Sequence, residues 1–419
     1  MRVKILLQTA AIVLLLWAKP MRGQLYTLDS VLVRIETQNP GLKMYDADIK
    51  SMDAAAAGAK SWMPPQVGAG FFMTPYNPQL WKDNAMGQGM GAFMVSVQQM
   101  FPNPAKQNAE YEYMQAMSAV EEKNKQYTFN QMAAWAKTAY YRWQVTTKKT
   151  AIANENLLLL DYMIKSMETR YQYNMDKIST YYKAKSKYGE LQNMLEMLKN
   201  QAEQNRIVLN TMMAQDKSTV FSIDTTFELK DYGQYLVDSG YLYTHRSDLQ
   251  AIDKTVNLNT LKIATQKANL LPDFGLRFDH MAAFGSRPQQ FSLMGMITIP
   301  IAPWSAKMNR ANINSLKLKA DAYQWKKQMI VNETTGMLRG MTTEYTSMKT
   351  QLDIQQNTII PALKKNYETA LISWQNNTGE LFLVLDAWEG LNMAQITALD
   401  KLQALLDMQA EIEKQLEIQ

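Results

Sequence analysis

The sequence predicts a mixed fold in which long antiparallel coiled-coil helices carry four short β-strands, with the pattern present twice along the chain. Three observations predict it. The stretches 105–170 and 306–373 contain almost no glycine or proline. Four short segments replace the helical period by alternation of apolar and polar residues. A proline-containing motif that follows a helical stretch recurs about half a chain apart, at Pro65 and at Pro272.

Composition excludes several classes of function. The chain of 419 residues has no cysteine and only two histidines, His245 and His280, which are far apart. Disulfides, thiolate metal sites and cysteine nucleophiles are therefore excluded, and we expect no catalytic residue, no cofactor and no His-based metal site. The net charge of +5 lies almost wholly in the first 23 residues. The acidic and basic residues of the rest of the chain nearly cancel, which gives no electrostatic reason to expect nucleic-acid binding.

Residues 1–23 predict a secretory signal. The basic residues Arg2 and Lys4 precede an apolar run from Ile5 to Trp17. A more polar segment that ends at Gly23 follows the run. This run is shorter than the ~20 residues that a membrane-spanning helix needs. We expect cleavage after Gly23, with an uncleaved membrane anchor as the alternative.

The two glycine-poor stretches predict helices of unusual length. Between residues 313 and 348, positions that step by three and four are mostly apolar and include Met337 and Met341, which is the pattern of a coiled-coil seam. A helix as long as either stretch extends roughly 100 Å at ~1.5 Å per residue. Two further helices, at about 177–215 and 380–417, are predicted to return along the long ones.

Alternation of apolar and polar residues predicts strands. The predicted strands are 66–73, 91–101, 272–281 and 290–301. Such alternation over about ten residues is typical of transmembrane β-strands, although a half-buried soluble hairpin has the same pattern. The secretory signal and the long helices favour the membrane. The alternate positions Arg277, Asp279, Met294 and Met296 would then face a lumen.

The segment between the two halves differs in composition from the helices on either side. It contains a predicted strand at 220–229 and a short helix at 232–239, and we interpret it as a belt domain. We therefore predict four segments, which are the signal 1–23, a first structural repeat 24–215, the belt 216–245 and a second structural repeat 246–419.

Membrane strands would require several copies of the chain. A bilayer tolerates no open sheet edge, because unpaired backbone groups find no water there. Four strands are also fewer than the roughly eight of the smallest membrane barrels. Strands from different copies must therefore close one barrel, in a number that these considerations do not fix.

Several short motifs occur in a characteristic order. They are Asn39-Pro40-Gly41-Leu42, Met63-Pro64-Pro65-Gln66-Val67, Arg246-Ser247-Asp248-Leu249, Ala268-Asn269-Leu270-Leu271-Pro272, Ile297-Thr298-Ile299-Pro300-Ile301 and Val384-Leu385-Asp386-Ala387. Together they resemble the TolC family of outer-membrane efflux proteins over the whole mature chain. The sequence departs from the family in having Ser247 where proline is usual, no cysteine for a lipid anchor, and no glycine in the first helix-tip turn at 171–176.

The resemblance implies a homotrimer in which each copy gives four strands to a twelve-stranded β-barrel and helices to a periplasmic tunnel. Such a protein is a passive exit duct in the outer membrane and its lipid, and it works with a periplasmic adaptor protein and an inner-membrane pump. The tunnel tips would contact the adaptor. Candidate tip residues are Asn174, Asp176, Lys177, Asn377, Thr378, Gly379 and Glu380.

Two further features have alternative interpretations. Asp386 falls where some members of the family place a carboxylate at the narrow end of the tunnel, so it is a candidate pore gate or a helix-packing element. The chain has 30 methionines. Thioether sulfur is a soft ligand, which would suit heavy-metal export of the Cu/Ag type, but methionine also serves as an adaptable apolar side chain. The alternative to a duct is a secreted coiled-coil structural or adhesive protein.

Overall fold

The computed structural model describes residues 24–83, 85, 87–172, 177–232, 239–300 and 302–418. The predicted signal and the tip candidates Asn174 and Asp176 lie outside these ranges. None of the helices within them combines the length and the apolar character that crossing a bilayer requires.

Most of the described chain is helical. The α-helices are α1 Leu28–Gln38, α2 Pro40–Ala57, α3 Pro104–Gln115, α4 Met117–Gln172, α5 Ile178–Met212, α6 Ser239–His245, α7 Ser247–Ala268, α8 Pro303–Ile354, α9 Ile360–Gln375 and α10 Leu381–Leu416. The first long helical stretch is interrupted only around Ala116, which keeps helical dihedral angles. The second is interrupted by a π-helical segment, Gln355–Ile359, just before Pro361, a residue that has no amide hydrogen to donate.

The strands of the described ranges form two sheets. A parallel pair joins β1, Gln24–Tyr26, to β4, Phe221–Ile223. The larger sheet is antiparallel and contains β2 Gln66–Phe72, β3 Ala92–Phe101, β5 Asp273–Ala283 and β6 Gln290–Thr298, in that spatial order. Predicted and observed strands agree to within a few residues. The fourth strand ends before Pro300, and the third extends to Ala283 because that residue pairs with Ala92.

The strand predicted in the belt is longer than the observed one. The strand predicted at 220–229 is only Phe221–Ile223. Of the helix predicted at 232–239, residues 233–238 lie outside the described ranges, and the described helix α6 begins at Ser239. Beyond β4, helix side chains replace a strand ladder as hydrogen-bond donors to the backbone. Gln144 donates to the carbonyls of Asp224 and Thr226, at 2.6 and 2.8 Å. These bonds satisfy the backbone without a neighbouring strand.

The predicted seam of α8 is also out of phase in its second half. The buried apolar residues there are Val331, Leu338, Tyr345 and Leu352, one every seven residues, whereas Met337 is 45% exposed. Thr334, a position of the predicted seam, is buried as well. A seven-residue repeat is the coiled-coil period. The observed repeat is therefore shifted by one position from the predicted one, because alternative steps of three and four fit the same sequence.

The chain divides into two compact units, each of which takes segments from both halves of the sequence. One contains Met44–Tyr127 and Arg246–Asn332, including the larger sheet, and is called the strand unit. The other contains the described residues up to Lys43, Thr128–His245 and those from Glu333 on, and is called the helical unit.

A buried ionic cluster holds the belt against the helices within the helical unit. The carboxylate of Glu413, on α10, accepts hydrogen bonds from Lys137 Nζ at 2.5 Å, Lys230 Nζ at 2.7 Å and the Tyr232 hydroxyl at 2.9 Å. The side chains of Lys137 and Glu413 are only 4% and 1% exposed. Since Lys230 and Tyr232 belong to the belt, this one carboxylate connects the belt to α4 and α10.

The pKa of Glu413 reflects two opposing effects. Burial alone would raise the pKa of its carboxyl, but the nearby charge and hydrogen bond of Lys137, followed by those of Lys230, hold it below the ordinary value of 4.5. A carboxyl with a lowered pKa stabilises the fold at higher pH, and this contribution disappears as the pH falls through the lowered pKa. The cluster therefore contributes stability at neutral pH and loses it in acid.

We expect Glu413→Gln to lower the free energy of unfolding by about 3–5 kcal/mol, because it leaves the Lys137 ammonium buried without a counter-charge. Glu196→Gln is the matched control. Its ion pair with Lys199 lies on the surface, with side chains 71% and 64% exposed, and such pairs contribute at most about 1 kcal/mol. Thermal unfolding followed by circular dichroism at neutral pH measures both. Equal melting temperatures for the two variants would contradict a stabilising role for the cluster.

Candidate functional site

One face of the larger sheet is mainly apolar and exposed, with Gln99 and His280 as its polar side chains. In an antiparallel pair, directly opposite residues lie on the same face, so the pairs Val67–Val97, Val97–Phe278 and Phe278–Leu293 form a continuous apolar row. The other apolar side chains of this face are Phe71, Phe93, Val95, Phe101, Phe274, Leu276, Phe291 and Ile297. All of them are exposed, Phe291 to 71%.

The opposite face is polar. Arg277 pairs across the sheet with Gln98 and Met294, and Asp279 pairs with Ser96 and Ser292. Arg277 Nε donates to Asp279 Oδ1 at 2.8 Å, and Asp279 is only 4% exposed. An antiparallel sheet of a soluble protein packs its apolar face onto the core and leaves its polar face in water. Here the apolar face is the exposed one, which is the arrangement of a sheet in lipid.

The structure thus places all four strand candidates of the sequence on this polar face. They are Arg277, Asp279, Met294 and Met296. Sharing a face follows from the strand register. That the face lines a lumen stays a prediction.

An aspartate joins the two loops at one end of the sheet. The Asp83 carboxylate accepts hydrogen bonds from the backbone N–H groups of Gly89, at 2.7 Å, and of Ser286, at 2.9 Å. These bonds lower the pKa of Asp83. Beside it, the rings of Trp81 and Phe284 stack with centroids 5.3 Å apart. Sequence reasoning missed this link, because the turn residues that mark two separate loops do not indicate that the loops meet.

The turn between α9 and α10 is a compact helix cap. Asn377 has a left-handed conformation, with φ 58°, as is common just after a helix. The N–H groups of Thr378 and Gly379 both donate to the carbonyl of Ser373, at 2.9 and 3.1 Å. Arg170, in the last turn of α4, donates to Asn377 Oδ1 at 2.6 Å.

The Arg170 contact brings the end of the first long helix next to the second tip, and sequence reasoning did not find it. Of the other tip candidates, Glu380 is the residue before α10 and Lys177 the residue before α5. Both stand at helix starts, where the breaks between long and short helices were predicted.

Asp386 lies on the exposed side of α10. Its neighbours Leu385 and Ala387 are 1% and 6% exposed, and they belong to a core cluster with Trp374 and Trp388. Within one copy of the chain, the apolar neighbours therefore form the packing contacts in this part of α10. A carboxylate on a helix surface is available to interact with ions or with a second copy of the chain.

Within the described ranges, no three His, Asp or Glu side chains are grouped so that they could hold a metal ion. The chain also has no cysteine. Methionine thioethers are the soft sulfur ligands that the chain contains.

Solved structures of outer-membrane channels share this fold. The channel OprN is 16% identical with a TM-score of 0.72, and the match covers 93% of this chain and 89% of that one. CusC is 14% identical with a TM-score of 0.73, and the match covers 93% of this chain and 91% of CusC. The outer-membrane protein VceC of Vibrio cholerae is 14% identical with a TM-score of 0.71, and the match covers 93% of this chain and 95% of VceC. No protein-family model and no curated protein matches the sequence. The chain therefore has the fold of the TolC family of outer-membrane efflux channels, as its motifs predicted.

Proposed function

We propose that the protein is the outer-membrane exit duct of a tripartite export system and that it is not an enzyme. The observation that carries this proposal is the inverted sheet of the strand unit. Its apolar face is exposed and its polar face contains the Arg277–Asp279 pair. Such a sheet is stable when lipid covers one face and a water-filled passage borders the other. The secretory signal predicted at 1–23 would deliver the chain to that membrane.

The proposed duct is a homotrimer. β2 and β6 are the edge strands of the larger sheet, and in a bilayer their outward backbone groups need partners. Pairing β6 of one copy with β2 of the next satisfies both edges. Three copies then give twelve strands, above the roughly eight of the smallest membrane barrels. The number three rests on the likeness to TolC-type channels.

The partners that we propose are a periplasmic adaptor protein and an inner-membrane pump, since a passive duct supplies no energy of its own. The adaptor would bind at the helix tips, where Asn377, Thr378 and Gly379 form a compact cap. We propose Asp386 as a gate. Three copies of this exposed carboxylate around one opening would attract cations and repel anions.

We propose Cu(I)- or Ag(I)-type heavy-metal cations as the cargo. The chain has 30 methionines and no cysteine, so thioethers are its soft ligands. A secreted coiled-coil structural or adhesive protein is less favoured, because it would leave Phe274, Phe278 and Phe291 in contact with water. Burial of one such side chain contributes about 1.5–3 kcal/mol.

Adjacent residues of β6 should label differently in the membrane. Leu293 and Met294 lie at the same depth on opposite faces, 60% and 44% exposed. In native outer membranes, Leu293→Cys should react with a lipid-phase thiol probe and Met294→Cys with a water-soluble one. Phe278→Cys, whose position pairs with Leu293, should follow Leu293→Cys. Labelling of all three by the aqueous probe alone would support the secreted protein and reject the duct.

Photo-crosslinking amino acids at Lys177 and Thr378 should capture the adaptor protein in cells, because both positions adjoin the helix tips. The control is Lys217, an exposed residue of the belt, which should capture it weakly or not at all. Mass spectrometry of the crosslinked bands identifies the partner. Capture from Lys217 with none from the two tip positions would place the adaptor elsewhere and reject the tip assignment.

Asp386→Asn should remove most of the cation preference of the open pore, since it deletes three charges and keeps the shape of the side chain. Its melting temperature should stay close to that of the unmodified protein, because Asp386 is exposed. Leu385→Ala is the contrasting variant and should cost about 2–5 kcal/mol of stability. Reversal potentials in planar bilayers, measured beside the melting curves, test both. Unchanged selectivity in Asp386→Asn would reject the gate.

A further inference from the structure

The methionines of the larger sheet all lie on its polar face. The five are Met94, Met100, Met281, Met294 and Met296. The large apolar side chains of the opposite face are valine, phenylalanine, leucine and isoleucine, and its paired positions include Gln99 and His280 but no methionine. If methionine simply replaced leucine as an adaptable apolar side chain, it would occur on the apolar face. Its placement therefore needs another explanation.

Two of these thioethers converge over a glycine. Met100 on β3 and Met296 on β6 both pair with Gly275 of the central strand β5. A Cβ at Gly275 would collide with Met100 Sδ and would lie 3.1 Å from Met296 Cε. The missing side chain at Gly275 thus leaves the space into which both flanking methionines extend.

A second pair lies further along the same face. Met94 and Met281 are direct cross-strand partners, so their side chains are neighbours. Next to it, a cavity of about 370 Å³ is lined by Met281, Met73 and Met90, together with Arg287. Thioethers therefore occur near both ends of the polar face, with the Arg277–Asp279 pair between them.

The charges around the Gly275 pair are balanced. Asp273, at the start of β5, forms an ion pair with Lys106 at 2.7 Å, and Arg277 forms one with Asp279 at 2.8 Å. Carboxylates that are already paired with cations are poor sites for hard ions such as Mg²⁺. Uncharged thioether sulfur binds soft cations, of which Cu(I) is the common biological example.

We propose that Met100 and Met296 form a thioether site for a soft monovalent cation, Cu(I) or Ag(I), with Met94 and Met281 as a second station on the same face. This inference rests on the proposed function, because the polar face borders a transport path only if the protein is a duct. It deepens that function by assigning the cargo class to named side chains. Two thioethers give moderate affinity, which suits a path that cations must also leave.

The test uses the full-length protein in detergent, in chloride-free buffer, with silver nitrate as the probe. Isothermal titration calorimetry should detect Ag(I) binding, and X-ray absorption should find sulfur in the first coordination shell. The double variant Met100→Leu/Met296→Leu should weaken the tightest class of binding by about tenfold or more, which is about 1.4 kcal/mol. The control Met308→Leu/Met329→Leu removes two exposed methionines of α8 and should leave that class unchanged.

Gly275→Ala provides an independent variant, since it removes no sulfur. The added methyl group would occupy the space between Met100 and Met296, so it should also weaken the tightest binding, while the melting temperature shows that the variant is folded. Equal affinity of the unmodified protein, the double variant and Gly275→Ala would overturn the site.

Pore formation in planar bilayers separates this outcome from failure of the proposed function. A protein that conducts but binds Ag(I) equally well without Met100 and Met296 is a duct without this site. If the protein binds Ag(I) at the site but forms no pore, the site is supported and the proposed duct is rejected. The bound cation would then not be cargo.

Discussion

The sheet of the strand unit imposes the constraint on which the proposed assembly depends. Its apolar face is exposed, and its edge strands β2 and β6 have backbone groups without partners in the sheet. In water, a single copy would leave its apolar face exposed to solvent. In lipid, a single copy would leave the backbone N–H and C=O groups of its edge strands without hydrogen-bond partners. Lipid around a ring of several copies satisfies both requirements. The polar face then becomes the interior surface, where Asp279 is already neutralised by Arg277.

In the helical unit, the irregular backbone of the belt packs against long helices. The belt has neither helix nor strand at 224–232, the described residues that follow β4. Its carbonyl groups accept hydrogen bonds from Gln144 and Tyr345, and its Lys230 contacts the buried carboxylate of Glu413. One buried carboxylate surrounded by donors thus connects this segment to α4 and α10. Removing a partner of such a cluster is costly for that reason.

Local patterns of the sequence predicted most of the fold. Alternation located the four strands because one apolar face repeats every second residue, and the scarcity of glycine and proline located the long helices. Errors arose where a pattern admits two phases, as at Met337 and Leu338. Contacts between distant segments, such as Arg170 with Asn377 or Asp83 with Ser286, left no local signal. The convergence of Met100 and Met296 also required the strand register, since the sequence contains 30 methionines without indicating which of them meet.

The central claim is that copies of this chain close one pore through the edges of the sheet. Native mass spectrometry of the protein released from outer membranes by detergent, combined with conductance of the same sample in planar bilayers, tests it most directly. The proposed duct predicts a complex of three copies that opens a stable conducting pore and dissociates only on strong heating. A monomer that remains dispersed in buffer without detergent and conducts no current would contradict it.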